Sequence, residues 1–268
     1  MTDPVESGSV PRRNIRLVVS YDGRRFHGWQ RQPEPILTVQ GCLEQAICRV
    51  VGHPVTVNGT GRTDAGVHAL GQGANFRTTN LAIPLDSLRR AADSKCPGDI
   101  AILSAREAPD DFHASISALG KTYRYRIHVA PAKPAMLAGR VYHCPVPLDV
   151  DLMADAAARL VGRHDFRGFA SSAEQRQDTR RTIRRCTASA HGDEVHVTVS
   201  GDGFLYKMVR NITGTLIEIG RGRWGPERID LLLASRDRRD GGPTALPGGL
   251  YLVSVLYPDG ETGVAGGD

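Results

Sequence analysis

One segment of the chain, Gly59–His68 (GTGRTDAGVH), places two opposite charges in a glycine-rich setting. Its three glycines allow backbone conformations that are closed to other residues. Asp64 lies near its centre and Arg62 two residues earlier, so that one short loop presents an anion and a cation. A carboxylate aimed at an electrophilic carbon can act as a covalent nucleophile. The simpler alternative is an Asx-turn, in which Asp64 only caps its own loop.

A nucleophilic carboxylate needs a cationic partner to keep it charged and a pocket that excludes water. Arg210, which follows the segment FLYKMV at 204–209, is one candidate partner from the second half of the chain. An arginine in the first turns of a helix can equally be a surface residue. Residue types alone leave both interpretations of Arg210 open.

Hydrophobic periodicity predicts the order β-α-β-β-α-β twice, the second time with one extra helix. The predicted strands are 15–21, 54–59, 71–78, 100–106, 118–129, 181–189, 194–200 and 250–257, and the predicted helices are 38–51, 84–95, 149–162, 204–219 and 226–236.

We therefore predict an α+β fold of two ferredoxin-like halves with antiparallel sheets, spanning 12–110 and 114–258. Residues 1–11 and 259–268 are predicted to be disordered tails. One irregular α+β domain is the alternative.

The composition argues against a secreted or membrane-embedded protein and leaves nucleic-acid binding open. Of the 34 cationic side chains 30 are arginine, which binds phosphate with a planar fork, although a GC-rich genome also favours arginine codons. The segment 163–185 carries seven arginines against three acids. No apolar run is long enough to span a bilayer, and the first ten residues do not resemble a secretion signal. Five cysteines without C-x-x-C spacing fit a reducing cytoplasm.

Cofactor and metal motifs are not found. Residues 115–122 approach a phosphate-binding loop, but an alternating strand follows them where such a loop requires a helix. No dinucleotide fingerprint occurs, and the two closest histidines, His191 and His196, have no third ligand in register. We expect no metal, no nucleotide and no other cofactor.

Five motifs together resemble the TruA-type tRNA pseudouridine synthase family. They occur in order over residues 15–257: YDG-x-x-F-x-GWQ-x-Q (21–32), GRTDAGVHA (61–69), LGKTYRY (119–125), MVRN (208–211) and GLYL (249–252). The resemblance implies isomerisation of uridine to pseudouridine in the anticodon stem-loop of tRNA, at positions 38–40. It also implies a homodimer, and two ferredoxin-like halves whose sheets join around a central basic cleft. One segment, 93–99, departs from the family pattern Asn-x-x-Leu-Pro-x-Asp by carrying Asp93 and Cys96.

The resemblance also implies roles for individual residues. Asp64 corresponds to the catalytic nucleophile, Tyr123 to the tyrosine that packs against the target base, and Arg210 to the arginine that pairs with the aspartate. Arg62 corresponds to the arginine that helps to hold the flipped nucleotide. A uridine inside a folded arm must leave its stack before a side chain can reach it, and a tyrosine face replaces the lost stacking.

Further cations are predicted to contact RNA phosphates. They are Arg24, Arg25, Lys121 and Arg124. Two other functions remain as alternatives: a non-catalytic double RNA-binding module, and a hydrolase in which Asp64 activates water. Such a hydrolase would need a second carboxylate or a metal. Whether the carboxylate attacks ribose C1′ or uracil C6 is left open.

Overall fold

The computed structural model describes residues 11–262. In chain order, the strands are β1 (Arg13–Tyr21), β2 (Asn58–Gly59), β3 (His68–Thr78), β4 (Ile100–Ala108), β5 (Gly120–Val129), β6 (Tyr142–Cys144), β7 (Gly162–Asp165), β8 (Arg180–His191), β9 (Glu194–Gly201), β10 (Leu250–Tyr257) and β11 (Gly260–Thr262). The helices are α1 (Val39–Val51), α2 (Leu85–Asp93), α3 (Val150–Ala158), α4 (Met208–Gly220) and α5 (Arg228–Ser235).

The strands of the first half are antiparallel in the order β4-β1-β3, with β2 beside β3. Apolar residues on β1 are fully buried because helix α1 lays Val39, Leu43 and Ile47 against the sheet as part of the same core. Thr38 caps the start of α1 through a hydrogen bond from the backbone N–H of Gly41. The predicted α+β class is confirmed for this half.

The second half repeats the pattern. Its antiparallel order is β10-β5-β9-β8, so that β5 occupies the place that β1 has in the first half. Two short strands that the sequence pattern did not predict extend this half, since β6 pairs with β5 and β7 pairs with β8. Both halves therefore follow the same strand order.

The two halves join into one eleven-stranded sheet through a short parallel contact between β3 and β10. Only two residue pairs form it, His68 with Tyr251 and Ala69 with Leu252. The segment that carries Asp64 enters β3 at this contact, and the GLYL motif enters β10. The junction of the halves is therefore the place where residues from both halves meet.

Several predicted element boundaries are wrong. The predicted strand 54–59 is reduced to β2, because the backbone N–H and C=O of Val57 bind the side chains of Glu44 and Gln40 on α1. The predicted helix 149–162 ends at Ala158, and the helix predicted from 204 begins at Met208. Lys207 stops that helix from starting earlier, because its backbone has a φ of 58°, in the left-handed region.

The predicted C-terminal tail begins too early. Residues 260–262 form β11 against β10, and Thr262 is buried, with its hydroxyl donating to the carbonyl of Gly71 at 2.6 Å. Residues 1–10 and 263–268 of the predicted tails lie outside the described part of the chain. Between residues 11 and 262, no helix combines the length and the apolar character needed to cross a membrane.

His68 anchors the junction. Its Nε2 donates to the carbonyl oxygens of Gly139 and Gly248 at 3.0 and 3.1 Å, and its Nδ1 accepts from the N–H of Gly23 at 3.1 Å. The ring stacks on Tyr251 with centroids 4.6 Å apart. Burial lowers the pKa of His68, although the two carbonyls and the nearby carboxylate of Asp22 oppose the shift. His68 is therefore neutral in the folded protein at neutral pH.

This arrangement predicts a pH dependence of stability. In the unfolded chain His68 titrates near 6.5, so its contribution is complete above about pH 6.5 and is lost as the pH falls below it. The variant His68→Phe keeps the ring but leaves two carbonyls unsatisfied, and we expect it to lose about 1–3 kcal/mol at pH 7.5.

We expect the thermal midpoint of His68→Phe to change less between pH 7.5 and 5.5 than that of the wild type. Differential scanning calorimetry at both pH values measures it, with the exposed His27→Gln as a control. Equal slopes for the wild type and His68→Phe would contradict this account.

Candidate active site

The structure brings Asp64 and Arg210 together from opposite halves. Arg210 lies in the first turn of α4, and its Nη1 donates to Oδ2 of Asp64 at 2.7 Å. Its Nε donates to the carbonyl of Ala245 at 2.7 Å, so that the guanidinium is held at two points. Within residues 11–262 the Asp64 carboxylate accepts no hydrogen bond from its own loop, so the Asx-turn alternative is wrong.

The loop around Asp64 is supported by the YDG–GWQ segment. The carbonyl of Thr63 accepts from the N–H of Trp29 at 3.1 Å, and the hydroxyls of Thr63 and Tyr21 are hydrogen-bonded at 2.8 Å. Gly28 permits this close approach, because a Cβ there would lie 2.6 Å from the carbonyl oxygen of Thr63. The segment therefore has a structural role that its sequence did not reveal: it fixes the backbone beside the carboxylate.

Tyr123 extends from β5 into the same region and is only 9% exposed. Its ring meets Phe204 edge to face, with centroids 5.2 Å apart. Burial is the main cause that raises the pKa of Tyr123, and the charge of Asp64 contributes to the same direction. The phenol is therefore neutral, and its ring lies close enough to Asp64 for the two groups to interact electrostatically.

Asp64, Tyr123 and Arg210 line one cavity of about 840 Å³. This volume falls within the range of about 300–1,000 Å³ that is typical of small-molecule sites. Its only lining carboxylate among the described residues is Asp64. Its lining cations are Arg31, Arg62, Lys121, Arg176, Lys207 and Arg210. The cavity therefore has a strongly positive wall, which suits a polyanionic ligand.

The predicted RNA-contacting residues divide into two groups. Arg62 and Lys121 line the cavity, Arg62 with an exposed side chain. Arg24 and Arg25 lie outside it, where they form ion pairs with the carboxylates of Asp22 at 2.8 Å and Asp99 at 2.7 Å.

Arg124 belongs to the second group. Its side chain projects from the face of β5 opposite Tyr123, because successive side chains of a strand alternate. The charge of Arg124 acts there on His196 of β9.

Sequence reasoning missed several lining residues. Arg176 belongs to the arginine-rich segment 163–185, which was the available signal, whereas Arg31 and Lys207 gave none. Lys207 lies just before α4, has a left-handed backbone and lines the cavity. Its Nζ lies 5.0 Å from the centroid of the Tyr206 ring. The sequence pattern predicts a helix at Phe204, but Phe204 lies in the irregular segment between β9 and α4, where its ring contacts Tyr123.

Metal ligands are not clustered in the described part of the chain. No group of three or more His, Cys, Asp or Glu side chains there could hold an ion. The closest histidines, His191 and His196, stack on each other at 4.4 Å, and His196 is hydrogen-bonded to Glu194.

Comparison with known proteins identifies the family. The sequence model of a family described as tRNA pseudouridine synthase matches residues 17–115 and 156–258. The chain is 42% identical to tRNA pseudouridine synthase A of Caldicellulosiruptor bescii over 91% of its length and 100% of the relative. It is 43% identical to the proteins of the same name from Acetivibrio thermocellus and Pseudoalteromonas atlantica, over 91% of its length and 100% and 92% of theirs.

The chain therefore belongs to the tRNA pseudouridine synthase family, whose members are isomerases that convert uridine to pseudouridine in tRNA. Both matched segments contribute to the cavity, since Asp64 lies in the first and Arg210 in the second.

The two-point binding of Arg210 predicts that charge alone is insufficient at this position. The variant Arg210→Lys keeps a cation but cannot donate to both Asp64 and Ala245 from a planar fork. Loss of a hydrogen bond to a charged group is worth about 1.5–3 kcal/mol. We therefore expect pseudouridine formation in single turnovers to slow by about 10–100-fold.

The control for this prediction is Arg90→Lys, at an exposed ion pair on α2. A wild-type rate in Arg210→Lys would show that the fork geometry is unimportant.

Proposed function

We propose that this chain isomerises uridine to pseudouridine in the anticodon stem-loop of tRNA, at positions 38–40, with Asp64 as the nucleophile. The observation that carries the proposal is the ion pair of Asp64 with Arg210 inside a cation-lined cavity. The guanidinium balances the charge of the carboxylate. Family membership supplies the substrate class.

The proposed substrate is a nucleotide flipped out of its stack. The ring of Tyr123 offers a π-face for the extruded base, and stacking of this kind is worth about 1–3 kcal/mol per base. Phe204 supports that ring from its edge. Arg62, whose side chain is exposed at the cavity two residues before Asp64, is placed to hold the flipped nucleotide.

The proposed reaction balances without any cofactor. The bond from N1 of uracil to C1′ of ribose breaks and a bond from C5 to C1′ forms, while C5 gives up its proton and N1 gains one. Asp64 bonds covalently to the nucleoside between these events, at C1′ or at C6. No electrons are gained or lost overall, so that neither a redox group nor ATP is required.

The hydrolase alternative is not supported by the cavity. A carboxylate that activates water for glycoside hydrolysis works with a second carboxylate about 5–9.5 Å away. Asp64 is the only carboxylate that lines the cavity among residues 11–262. A covalent nucleophile needs no second acid of this kind.

We also propose two ferredoxin-like halves, 12–110 and 114–258, joined around the cation-lined cavity. The common strand order of the halves supports this division, as does the break between the two matched segments. A homodimer in the cytoplasm is proposed from the family resemblance alone. Light scattering on the purified protein, with an expected mass of twice 29.0 kDa, tests the dimer.

The central experiment follows the hydrogen at C5. Transfer RNA labelled with tritium at uracil C5 should release tritium to water with the wild-type protein and none with Asp64→Ala. Asp64→Asn, which keeps the size but not the charge, should also be inactive. Release by Asp64→Ala at the wild-type rate would remove Asp64 from the mechanism, and tRNA binding without release by the wild type would indicate a non-catalytic RNA-binding module.

Salt dependence tests the proposed RNA surface. Each lost phosphate contact lowers the slope of log Kd against log salt by about 0.7–0.9. We expect Arg176→Ala with Lys207→Ala to lower it by about 1.4–1.8, because both line the cavity.

The Arg24–Arg25 loop and Arg124 are proposed to contact the RNA beyond the target nucleotide. Alanine at each of these positions should lower the slope as well. A slope that stays at the wild-type value, as expected for the control Arg90→Ala, would remove that residue from the interface.

A further inference from the structure

We propose that Lys121 is a positioning residue for the reaction at Asp64. Its ammonium group reaches across the junction of the halves and holds the loop that carries the carboxylate, by binding the carbonyl oxygen of Thr60. This role differs from the phosphate contact that the sequence predicted for Lys121. The inference rests on the proposed function of Asp64 as the nucleophile.

The geometry of β5 links Lys121 to the target base. Lys121 precedes Tyr123 by two residues, so both side chains project from the same face of the strand. Lys121 Nζ donates to the carbonyl of Thr60 at 3.0 Å, and Thr60 precedes Asp64 by four residues. One strand of the second half therefore contacts both the nucleophile loop and the space for the base. The hydrogen bond from Lys121 to Thr60 fixes the distance between the nucleophile loop and β5.

Thr60 is also held by hydrogen bonds to residues of both halves. It is fully buried, and its N–H and hydroxyl both donate to the carbonyl of Gly73 at 2.9 Å. The hydroxyl also contacts the phenol of Tyr257, which donates to the carbonyl of Ala114 at 2.8 Å. Lys121 adds the one hydrogen bond to Thr60 that comes from β5. The loop is thus fixed between the two halves at this residue.

Gly61 makes room for the ammonium group. A Cβ at this position would lie 2.9 Å from Nζ and 3.7 Å from Cε of Lys121. The backbone of Gly61 is outside the left-handed region, so an alanine there is free of backbone strain. The glycine is therefore explained by the approach of Lys121. An added methyl group would displace only the flexible end of that side chain.

The electrostatic setting makes this hydrogen bond sensitive to pH. Burial first, and then the charge of Arg176, lower the pKa of Lys121 to about 8. Within residues 11–262 no carboxylate forms an ion pair with it. The other charged or titratable side chains that line the cavity are Arg31, Arg62, Asp64, His113, Tyr123, Tyr206, Lys207 and Arg210. The ammonium form donates more strongly to a carbonyl than the neutral amine does.

The first test separates positioning from binding. Lys121→Met keeps the length of the side chain and removes the donor. We expect the rate of tritium release at saturating protein to fall by about 10–100-fold, the range for a lost charged hydrogen bond. The Kd for tRNA should change by less than about threefold, because a positioning role for Lys121 involves no contact with an RNA phosphate. Weaker binding with an unchanged rate would overturn the proposal and restore the phosphate contact.

The second test uses Gly61. Gly61→Ala should slow the same step, since its methyl group displaces the ammonium, and the double variant Gly61→Ala, Lys121→Met should be no slower than the single variants. Effects that multiply in the double variant would overturn the proposal. If Lys121→Met does not fold, as judged by its thermal midpoint, the single variant Gly61→Ala and the wild-type pH profile decide: a wild-type rate in Gly61→Ala, or a wild-type profile without a decline near pH 8, would overturn the proposal.

The third test is the pH profile of kcat/KM, which reports groups of the free enzyme. Because the ammonium form is lost as the pH rises through about 8, the wild type should show a decline there that Lys121→Met lacks. Identical profiles would overturn the proposal. Lys133→Met, at an exposed lysine, serves as the matched control and should behave as the wild type does.

The outcomes also separate this inference from the proposed function. If Asp64→Ala releases tritium at the wild-type rate, the nucleophile is misassigned and the role of Lys121 falls with it. If Asp64 is required but Lys121→Met is as fast as the wild type, only the positioning role is wrong.

Discussion

The ion pair between Asp64 and Arg210 is the interaction on which the site depends, because its two partners come from different halves of the sheet. A charge pair 2.7 Å apart tolerates little displacement, so the two halves have to meet in one fixed arrangement. The parallel contact between β3 and β10 consists of only two residue pairs. Buried hydrogen bonds around His68 and Thr60 complete the connection from either side of the loop. Much of the polar bonding at the junction therefore serves to position one carboxylate.

The lining of the cavity carries more positive than negative charge. Six cations line it against one carboxylate, an imbalance that a folded protein tolerates where a polyanion neutralises it. Three of the six form ion pairs with a carboxylate, Arg210 with Asp64, Arg31 with Glu44 and Arg176 with Glu174. The other three, Arg62, Lys121 and Lys207, form no ion pair among residues 11–262, so the surplus positive charge of the cavity lies where RNA is proposed to bind.

Much of the fold followed from the sequence, because strand alternation and amphipathic helices depend on local patterns. The central strands and α1 were predicted within two residues of their observed ends, apart from β3, whose first three residues were missed. Errors arose where tertiary contacts decide. The backbone of Val57 is hydrogen-bonded to side chains of α1, which the strand pattern could not predict. The left-handed backbone of Lys207 also has no signal in the local sequence pattern. At residue 93, where the family pattern has Asn, Asp93 accepts from the N–H of Ile102, a role that either side chain can fill.

The site was predictable to a similar extent. A loop with Asp64 and Arg62 is recognisable from its residue types, and the resemblance to a known family located Tyr123 and Arg210. Arg31 and Arg176 come from distant segments that meet at the junction of the two halves. Sequence spacing could therefore not identify them as cavity residues. For Lys121 the sequence predicted a phosphate contact, and it gave no signal for the hydrogen bond that Lys121 donates to the carbonyl of Thr60. A sequence shows which side chains are charged, but not which groups surround each of them in the folded protein.

The shortness of β2 has a consequence for how the two halves can join. Its two residues pair with β3 at Asn75 and Ala74, whereas β10 pairs with β3 at His68 and Ala69, farther along the same strand. A β2 of ordinary length would continue along β3 and compete with β10 for that edge. The chain turns away instead after Gly59, and the glycine-rich loop occupies the vacated space. The shortness of β2 thus leaves the edge of β3 free for β10 and leaves room for the loop that carries Asp64.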